Sequence, residues 1–166
     1  MSAVLPHYKM GPANFQASVL IYGGMVVEYN AVANPTTDLT VKPAASASKF
    51  VLGVAGNDAA PIATQTGAAN TYGQPIIDIS VLPDYLSVYY GHTDIWTWYS
   101  GAVPQGQLVI VGATAGTVIT GGVAPATDQI VGKCTHPGGV AAAMLTQQIG
   151  GQGAASFFLG RVRLTI

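Results

Sequence analysis

Residues 83–101 read PDYLSVYYGHTDIWTWYSG and hold both tryptophans of the chain and four of its eight tyrosines. Two runs within this stretch, 86–90 and 94–100, are rich in β-branched and aromatic residues, which favour β-strands. The short polar segment between the runs predicts a turn near residues 91–93. We therefore expect a β-hairpin inserted into the domain at this point.

Side chains on a strand alternate between its two faces, which places Trp96 and Trp98 on one face and Ile95, Thr97 and Tyr99 on the other. Each indole can bury roughly 150–250 Å² of surface. The pair either caps the core within one subunit or forms a contact with another protein. Because aromatic residues are enriched at the centres of protein interfaces, the sequence favours the contact.

Strand-forming runs separated by turn residues continue along the rest of the chain, which has 21 glycines and 10 prolines. These runs cover residues 18–22, 25–29, 39–42, 49–55, 75–82, 106–112, 116–120, 128–135 and 160–166. Gly23 and Gly24, between the first two runs, predict another tight hairpin. Alternation of apolar and polar residues is clearest over residues 77–81 and 161–166.

Short strands at regular spacing predict an all-β fold, a small antiparallel β-barrel or sandwich-like domain over residues 18–166. Residues 1–17 contain Pro6 and Pro12 and show no periodicity, which predicts an extended N-terminal arm. Residues 139–147 are a further strand candidate, although alanine and methionine there also allow a short helix over 140–147, so at most one short helix is expected.

Charged residues are scarce in this chain. They make up only 8% of it, against roughly 25% in ordinary soluble domains. The net charge is −1 and the mean hydropathy is +0.40. A surface with so few charges is poorly protected against association, so we expect much of it to be covered by other protein.

Several partners are not expected from the sequence. Six basic residues scattered between Lys9 and Arg163 form no stripe that could follow a nucleic-acid backbone. The apolar runs are shorter than the ~20 residues that span a bilayer, and the start resembles no secretory signal. Cys134, the single cysteine, excludes an internal disulfide. Synthesis in a host cytoplasm followed by assembly fits these features.

A catalytic site is not expected either. Cys134 and His136, with Asp128 nearby, are the residue types of a thiol nucleophile and its base. A strand followed by a turn does not keep them on one face, so a buried cysteine and a turn histidine are the simpler interpretation. The histidines His7 and His92 lie far from His136 in sequence, and no metal or other cofactor is predicted.

A sugar-binding surface is the main alternative from another class. Asp84 and Asp94 flank the aromatic stretch as a carboxylate pair would flank a sugar, and exposed aromatic rings bind sugars. The stretch has few amide or carboxylate partners for sugar hydroxyls, and aspartate is common in turns. A carbohydrate-binding module therefore stays open as an alternative.

Five segments resemble the head decoration proteins, or capsid cement proteins, of tailed bacteriophages. They are LGVAGNDAA (52–60), SGAVPQGQLVIVGATAGTVIT (100–120), DQIVGKC (128–134), PGGVAAAML (137–145) and GRVRLTI (160–166). The family pattern is an LGVA strand followed by an aspartate-containing turn, then G-x-V-x-x-G-x-x-V with G-x-V after it, then D-x-x-V-G and a final alternating strand. The chain departs from the shorter members in the two tryptophans between the first two segments.

The resemblance implies a non-enzymatic protein of the capsid exterior, a homotrimer that clamps neighbouring major capsid subunits. Another self-assembling virion protein, such as a tail-tube or head–tail joining subunit, is the alternative within the same class. The candidate interface residues are the aromatic and methionine side chains of the arm and of the stretch 83–101. They are Tyr8, Met10, Phe15, Tyr85, Tyr89, Tyr90, Trp96, Trp98 and Tyr99.

Overall fold

A computed structural model describes residues 12–30, 40–46, 48–61, 82–122, 130–146 and 157–165. Within these ranges the chain forms β-strands and one 3-10 helix, Ala142–Thr146, so the predicted all-β class is confirmed. The strands are β1 (Ala13–Ala17), β2 (Val26–Tyr29), β3 (Thr40–Pro43), β4 (Val51–Ala55), β5 (Tyr85–Tyr89), β6 (Asp94–Tyr99), β7 (Leu108–Val111), β8 (Val118–Thr120), β9 (Ile130–Cys134) and β10 (Phe158–Leu164). Valine, isoleucine and aromatic residues dominate these segments, as strand preferences require.

The strands close into two barrels of five strands each, where the sequence predicts one. In the first barrel, β1 pairs with β3 and β5, β2 pairs with β3 and β4, and β4 pairs with β5. In the second, β6 pairs with β8 and β10, β7 pairs with β8 and β9, and β9 pairs with β10. The pairs β1–β3 and β6–β8 are parallel and the others are antiparallel. The second barrel therefore repeats the topology of the first.

The repeat extends to a β-bulge at the same place in each barrel. The register of β2 on β4 shifts just after the pair Val27–Gly53, and that of β7 on β9 just after the pair Val109–Gly132. A Cβ at either glycine would overlap a carbonyl oxygen of the next strand, β5 or β10. A bulge bends a strand and increases its twist, which helps a sheet of only five strands to close.

The turn before β2 also recurs before β7. The two turns are Tyr22–Met25 and Pro104–Gln107, each closed by a hydrogen bond from its last amide to its first carbonyl, 3.1 and 3.2 Å long. Gly24 and Gly106 occupy the same position in the two turns, with φ of 86° and 83°. Side chains rarely adopt this left-handed conformation, so the turn selects glycine in both barrels.

The two barrels share one core where they meet. Val26, Ala44 and Val54 of the first barrel pack in the same buried cluster as Tyr99 and its neighbours in the second. Hydrogen bonds cross the junction, from the Val26 amide to the Gly116 carbonyl (2.8 Å) and from the Gly116 amide to the Ala44 carbonyl (2.9 Å). The described residues thus form two barrels fused through buried apolar contacts.

Two predicted hairpins do not form. Residues 18–22 contribute an isolated bridge from Ile21 to Ala59, so β2 has no hairpin partner across Gly23–Gly24. Strands β5 and β6 lie in different barrels, so residues 83–101 are the junction between two barrels and no inserted hairpin. Each strand instead closes its own barrel, β5 by pairing with β1 and β6 by pairing with β10.

The boundary of the predicted arm is wrong, because residues 13–17 form β1 and pair with β3 and β5. Phe15 on this strand contacts Tyr29 edge to face, with ring centroids 5.9 Å apart, and Ala17 is buried. Residues 1–11 and the run 75–81 lie outside the described residues. The strand candidate at 139–147 is wrong over residues 142–146, which form the 3-10 helix Ala142–Thr146, in the place where the sequence allows a short helix as the alternative.

Alanine at either bulge glycine should destabilise the protein, because the new methyl group would overlap backbone atoms that cannot move cheaply. We expect Gly53→Ala and Gly132→Ala each to lower the free energy of unfolding by roughly 1–3 kcal/mol in urea denaturation. Gly23→Ala is the control, since its Cβ would lie no closer than 3.4 Å to other atoms. Equal stability of the three variants would contradict the role given to the bulges.

Candidate functional site

Trp98 on β6 joins the second barrel to the first. Its indole Nε1 donates a hydrogen bond of 2.7 Å to the carbonyl of Gly23. A Cβ atom placed on Gly24 would lie 3.1 Å from the indole Nε1 and 3.1 Å from the Leu159 side chain. The ring therefore approaches the turn more closely than a residue with a side chain would allow. Thr97, fully buried, donates from its hydroxyl to the Gly24 carbonyl at 2.7 Å. Trp98 therefore makes its contact within the chain.

Trp96 lies two residues away on the same strand face but in a different environment. Half of its surface is exposed. Its ring meets His136 edge to face at a centroid distance of 6.1 Å, and His136 meets Phe158 in the same manner at 5.2 Å. The indole thus packs against His136, which in turn packs against Phe158, while half of the Trp96 surface stays open to solvent.

Asp94, at the start of β6, is bound by two arginines of β10. Arg163 donates from Nε to Oδ1 at 3.1 Å and from Nη2 to Oδ2 at 2.8 Å. The Arg161 Nη2 lies 3.6 Å from Oδ2, and the Thr135 hydroxyl donates to Oδ1 at 3.4 Å. The hydrogen bond with Arg163, more than any other contact, holds the pKa of the Asp94 carboxyl below its usual range.

Strand pairing collects three cations on this side of the second barrel. Arg161 lies opposite Trp96 and Arg163 opposite Asp94, while Lys133 of β9 lies opposite Arg163. Directly opposed residues point to the same side of a sheet. We call the five residues Asp94, Trp96, Lys133, Arg161 and Arg163 the basic face. The sequence does not reveal it, because Lys133 is far from Arg161 and Arg163 along the chain.

A groove runs beside the basic face along the junction of the two barrels. It has a volume of about 620 Å³. Its glycine-rich side is formed by Gly23–Gly24 and Ala55–Gly56, and Tyr89 lines it as well. Residues 93–96 line it from the second barrel, so Asp94 and Trp96 belong to both the groove and the basic face.

The other predicted interface residues within the described ranges differ in how far their side chains are exposed to solvent. Tyr85 is 60% exposed at the start of β5. Tyr89 is half-buried against the shared core. Phe15 and Tyr90 are half-buried and line a second, apolar pocket of about 350 Å³ together with Tyr29. Of these, Tyr85 presents the largest surface to a partner.

Tyr99 is a core residue, so its assignment to an interface is wrong. It is fully buried and donates from its hydroxyl to the Arg161 carbonyl at 3.0 Å. Burial, reinforced by the neighbouring Cys134, raises the pKa of the Tyr99 phenol and keeps it protonated as a donor. The alternation that places Trp96 outside also places Tyr99 inside. Tyr8 and Met10 lie outside the described residues.

Sequence reasoning missed several exposed apolar side chains of the first barrel. Phe50 is 77% exposed, and Val19, Leu20 and Tyr29 are exposed to a lesser degree. Phe50 lies in a run predicted as strand, but it precedes β4, where alternation no longer determines its direction. No signal in the sequence separates it from the buried apolar residues that follow.

Of the residue types of a thiol nucleophile and its base, Cys134 and His136 lie in different environments, and Asp128 lies outside the described residues. Cys134 is buried, with its Sγ 3.9 Å from the Val103 carbonyl, whereas His136 lies against aromatic rings. The described part contains no group of three or more histidine, cysteine or acidic residues that could hold a metal ion. It also contains no helix of the length and apolarity that crossing a membrane requires.

No protein-family model matches the chain, and the comparison with curated proteins gives no match.

Replacing Trp98 should cost more stability than replacing Trp96. Trp98→Phe removes the hydrogen bond to Gly23, and we expect a loss of about 1–2 kcal/mol in the free energy of unfolding. Trp96→Phe is the matched control on the same strand face, with an expected change below about 0.5 kcal/mol. Equal losses in urea denaturation would show that Trp98 does not hold the barrels together.

The Asp94 carboxylate should stabilise the fold only above acidic pH. Its pKa is lowered in the folded state, so its contribution is complete above the unfolded-state pKa of roughly 3.9 and is lost as the pH falls through the lower folded-state value. We expect Asp94→Asn to be slightly less stable than the native chain at pH 7 and equal to it at the lowest pH. Thermal unfolding from pH 2 to 7 measures this, and a difference that grows towards acid would contradict it.

Proposed function

We propose that this chain is a structural virion protein that binds the outside of a tailed-phage capsid as a homotrimer and clamps adjacent major capsid subunits. The resemblance of its segments to capsid cement proteins supports the proposal. The observation that carries it is a set of large apolar side chains, Phe50, Tyr85 and Trp96, each at least half exposed on a charge-poor surface.

These side chains are suited to a protein interface. Buried aromatic residues dominate the energy of interfaces, and each can remove roughly 150–250 Å² from water. Exposed apolar rings do not stabilise an isolated soluble protein, whereas their burial against a partner stabilises an assembly. The exposed rings therefore favour a protein that works in an assembly.

The exposed rings lie on both barrels. Phe50 precedes β4 and Tyr85 begins β5, both in the first barrel, whereas Trp96 lies on β6 in the second. A protein that clamps neighbouring subunits needs contacts with more than one of them. Two joined barrels that each present apolar anchors meet this requirement.

Many of the charges are paired within the chain. Lys42 and Glu28 lie 3.5 Å apart across β2 and β3, and Asp94 pairs with Arg161 and Arg163. Glu28 is buried, so Lys42 supplies the cation that its carboxylate needs, whereas the Asp94 pairs lie at the surface and contribute little to stability. Charges that are already paired cost less to cover with protein.

Stabilisation of the shell requires no catalytic residue. A protein that binds the assembled shell and has no affinity for dissociated subunits stabilises the shell by mass action. The contribution grows as the logarithm of the concentration relative to the dissociation constant, about 2.7 kcal/mol per site at a hundredfold excess.

Co-sedimentation with empty shells of the phage that encodes the chain tests this function. We expect the purified chain to sediment alone as a trimer and to pellet with the shells in a saturable manner. Tyr85→Ser with Phe50→Ser should weaken shell binding with little change in thermal unfolding, because both side chains are exposed. Ser87→Ala, on the same strand as Tyr85, is the control.

Two results would contradict the proposal. One is a folded monomer that neither trimerises nor pellets with shells. The other is purified protein that forms rings or tubes, which would indicate a tail-tube or joining subunit. Binding to glycans that is lost in Trp96→Ala would instead favour the carbohydrate-binding alternative.

A further inference from the structure

We propose that the basic face docks an acidic segment of a partner protein, one that presents a carboxylate beside an apolar or aromatic side chain. The identity of that partner as the capsid subunit rests on the proposed function, but the chemistry of the site does not.

The basic face carries a net positive charge, whereas the net charge of the whole chain is negative. Three of the six basic residues of the chain lie on it with one acidic residue, which gives a local charge of +2 (three minus one) against −1 for the whole chain. Lys133 is exposed, and the side chains of Arg161 and Arg163 are 42% and 57% exposed. Such a face attracts an acidic group and repels a basic one.

The arginines carry more donors than Asp94 can accept. Two guanidinium groups have about ten N–H donors, whereas one carboxylate has about four acceptor sites. Arg163 is bound through Nε and Nη2, while the contact of Arg161 with Asp94 is longer, 3.6 Å. Asp94 thus fixes the positions of the arginines without exhausting them. An incoming carboxylate can bind an already oriented guanidinium, which reduces the entropy lost on docking.

Trp96 provides the apolar part of the site. Its indole is half exposed and packs against His136, which itself packs against Phe158. The groove beside it, with a volume of about 620 Å³, has glycines on one side and Tyr89 on another. A half-exposed tryptophan next to arginine is the composition typical of an interface hot spot. An apolar side chain of the partner can enter the groove while its acidic neighbour meets the arginines.

The same features do not suit a nucleic acid. Proteins that bind DNA neutralise on the order of 6–10 phosphates, and a face with a charge of +2 matches about two. A protein segment requires only one or two carboxylates and supplies an apolar side chain for the groove. The observations therefore favour an acidic peptide.

Binding of a synthetic peptide to the whole chain tests the inference. The probe is an eight-residue peptide with glutamates around one central tyrosine, and its counterpart has glutamine at each glutamate. Lys133→Gln with Arg161→Gln removes two charges from the face and leaves the Arg163–Asp94 pair in place. Lys49→Gln, at an exposed lysine of the first barrel, is the control for loss of charge outside the face, and circular dichroism verifies folding.

We expect the glutamate peptide to bind the native chain more tightly than the glutamine peptide in calorimetry. The face variant should weaken its binding about three- to tenfold, as the loss of two partly exposed charge contacts implies, and the control less than twofold. Trp96→Ala should weaken binding of both peptides.

Three results would overturn the inference. The first is equal binding of the two peptides, and the second is an equal loss of peptide affinity in the face variant and the control. The third is tighter binding of oligothymidylate than of the glutamate peptide, which would indicate a nucleic acid.

Shell co-sedimentation of the same variants separates this inference from the proposed function. A face variant that loses peptide binding but keeps shell binding overturns the capsid subunit as the partner. A native chain that binds the peptide but no shell supports the docking chemistry and contradicts the capsid function.

Discussion

The close approach of Trp98 to the glycine turn of the first barrel is the constraint on which the rest of the structure depends. Gly24 adopts a left-handed φ and has no side chain, so the indole can lie against the turn and donate to Gly23. The Gly24 carbonyl accepts from the Thr97 hydroxyl and the Trp98 amide. These contacts fix β6 against the first barrel, and β6 in turn presents Trp96 and Asp94 to solvent. The same strand, β6, therefore both packs against the first barrel and carries the exposed residues that are available to a partner.

The two barrels have the same strand topology, but each contributes a different surface to the contact between them. The first barrel contributes its glycine turn, and the second contributes β6 and the segment around Gly116. In an oligomer such a contact would be called heterologous, and it leaves a different surface of each barrel exposed. Phe50 and Tyr85 stay on the first barrel and the basic face on the second. One chain thereby offers two chemically distinct surfaces, one apolar and one basic with an aromatic anchor.

The sequence predicts the fold class and most strands, because β-branched runs and glycine turns are local signals. It does not predict the repeat, because equivalent positions are few and unevenly spaced: the turn glycines 24 and 106 are 82 residues apart, the bulge glycines 53 and 132 only 79. Alternation correctly predicts that Trp96 and Trp98 share a face, yet only tertiary contacts separate their roles. The basic face could not be predicted, since its cations meet through the pairing of β9 with β10.

The repeated topology has a consequence for how the chain folds. Strand β5 must pair with β1, and the partners Gln16 and Tyr85 are 69 residues apart in sequence. Strand β6 occupies the position in its barrel that β1 occupies in the first, and it begins five residues after β5 ends. Local pairs form faster than distant ones, so a β5–β6 hairpin is the kinetically favoured misfolded pairing. Docking of Trp98 onto the Gly23–Gly24 turn favours the native placement of β6 over this pairing and so couples the folding of the two barrels.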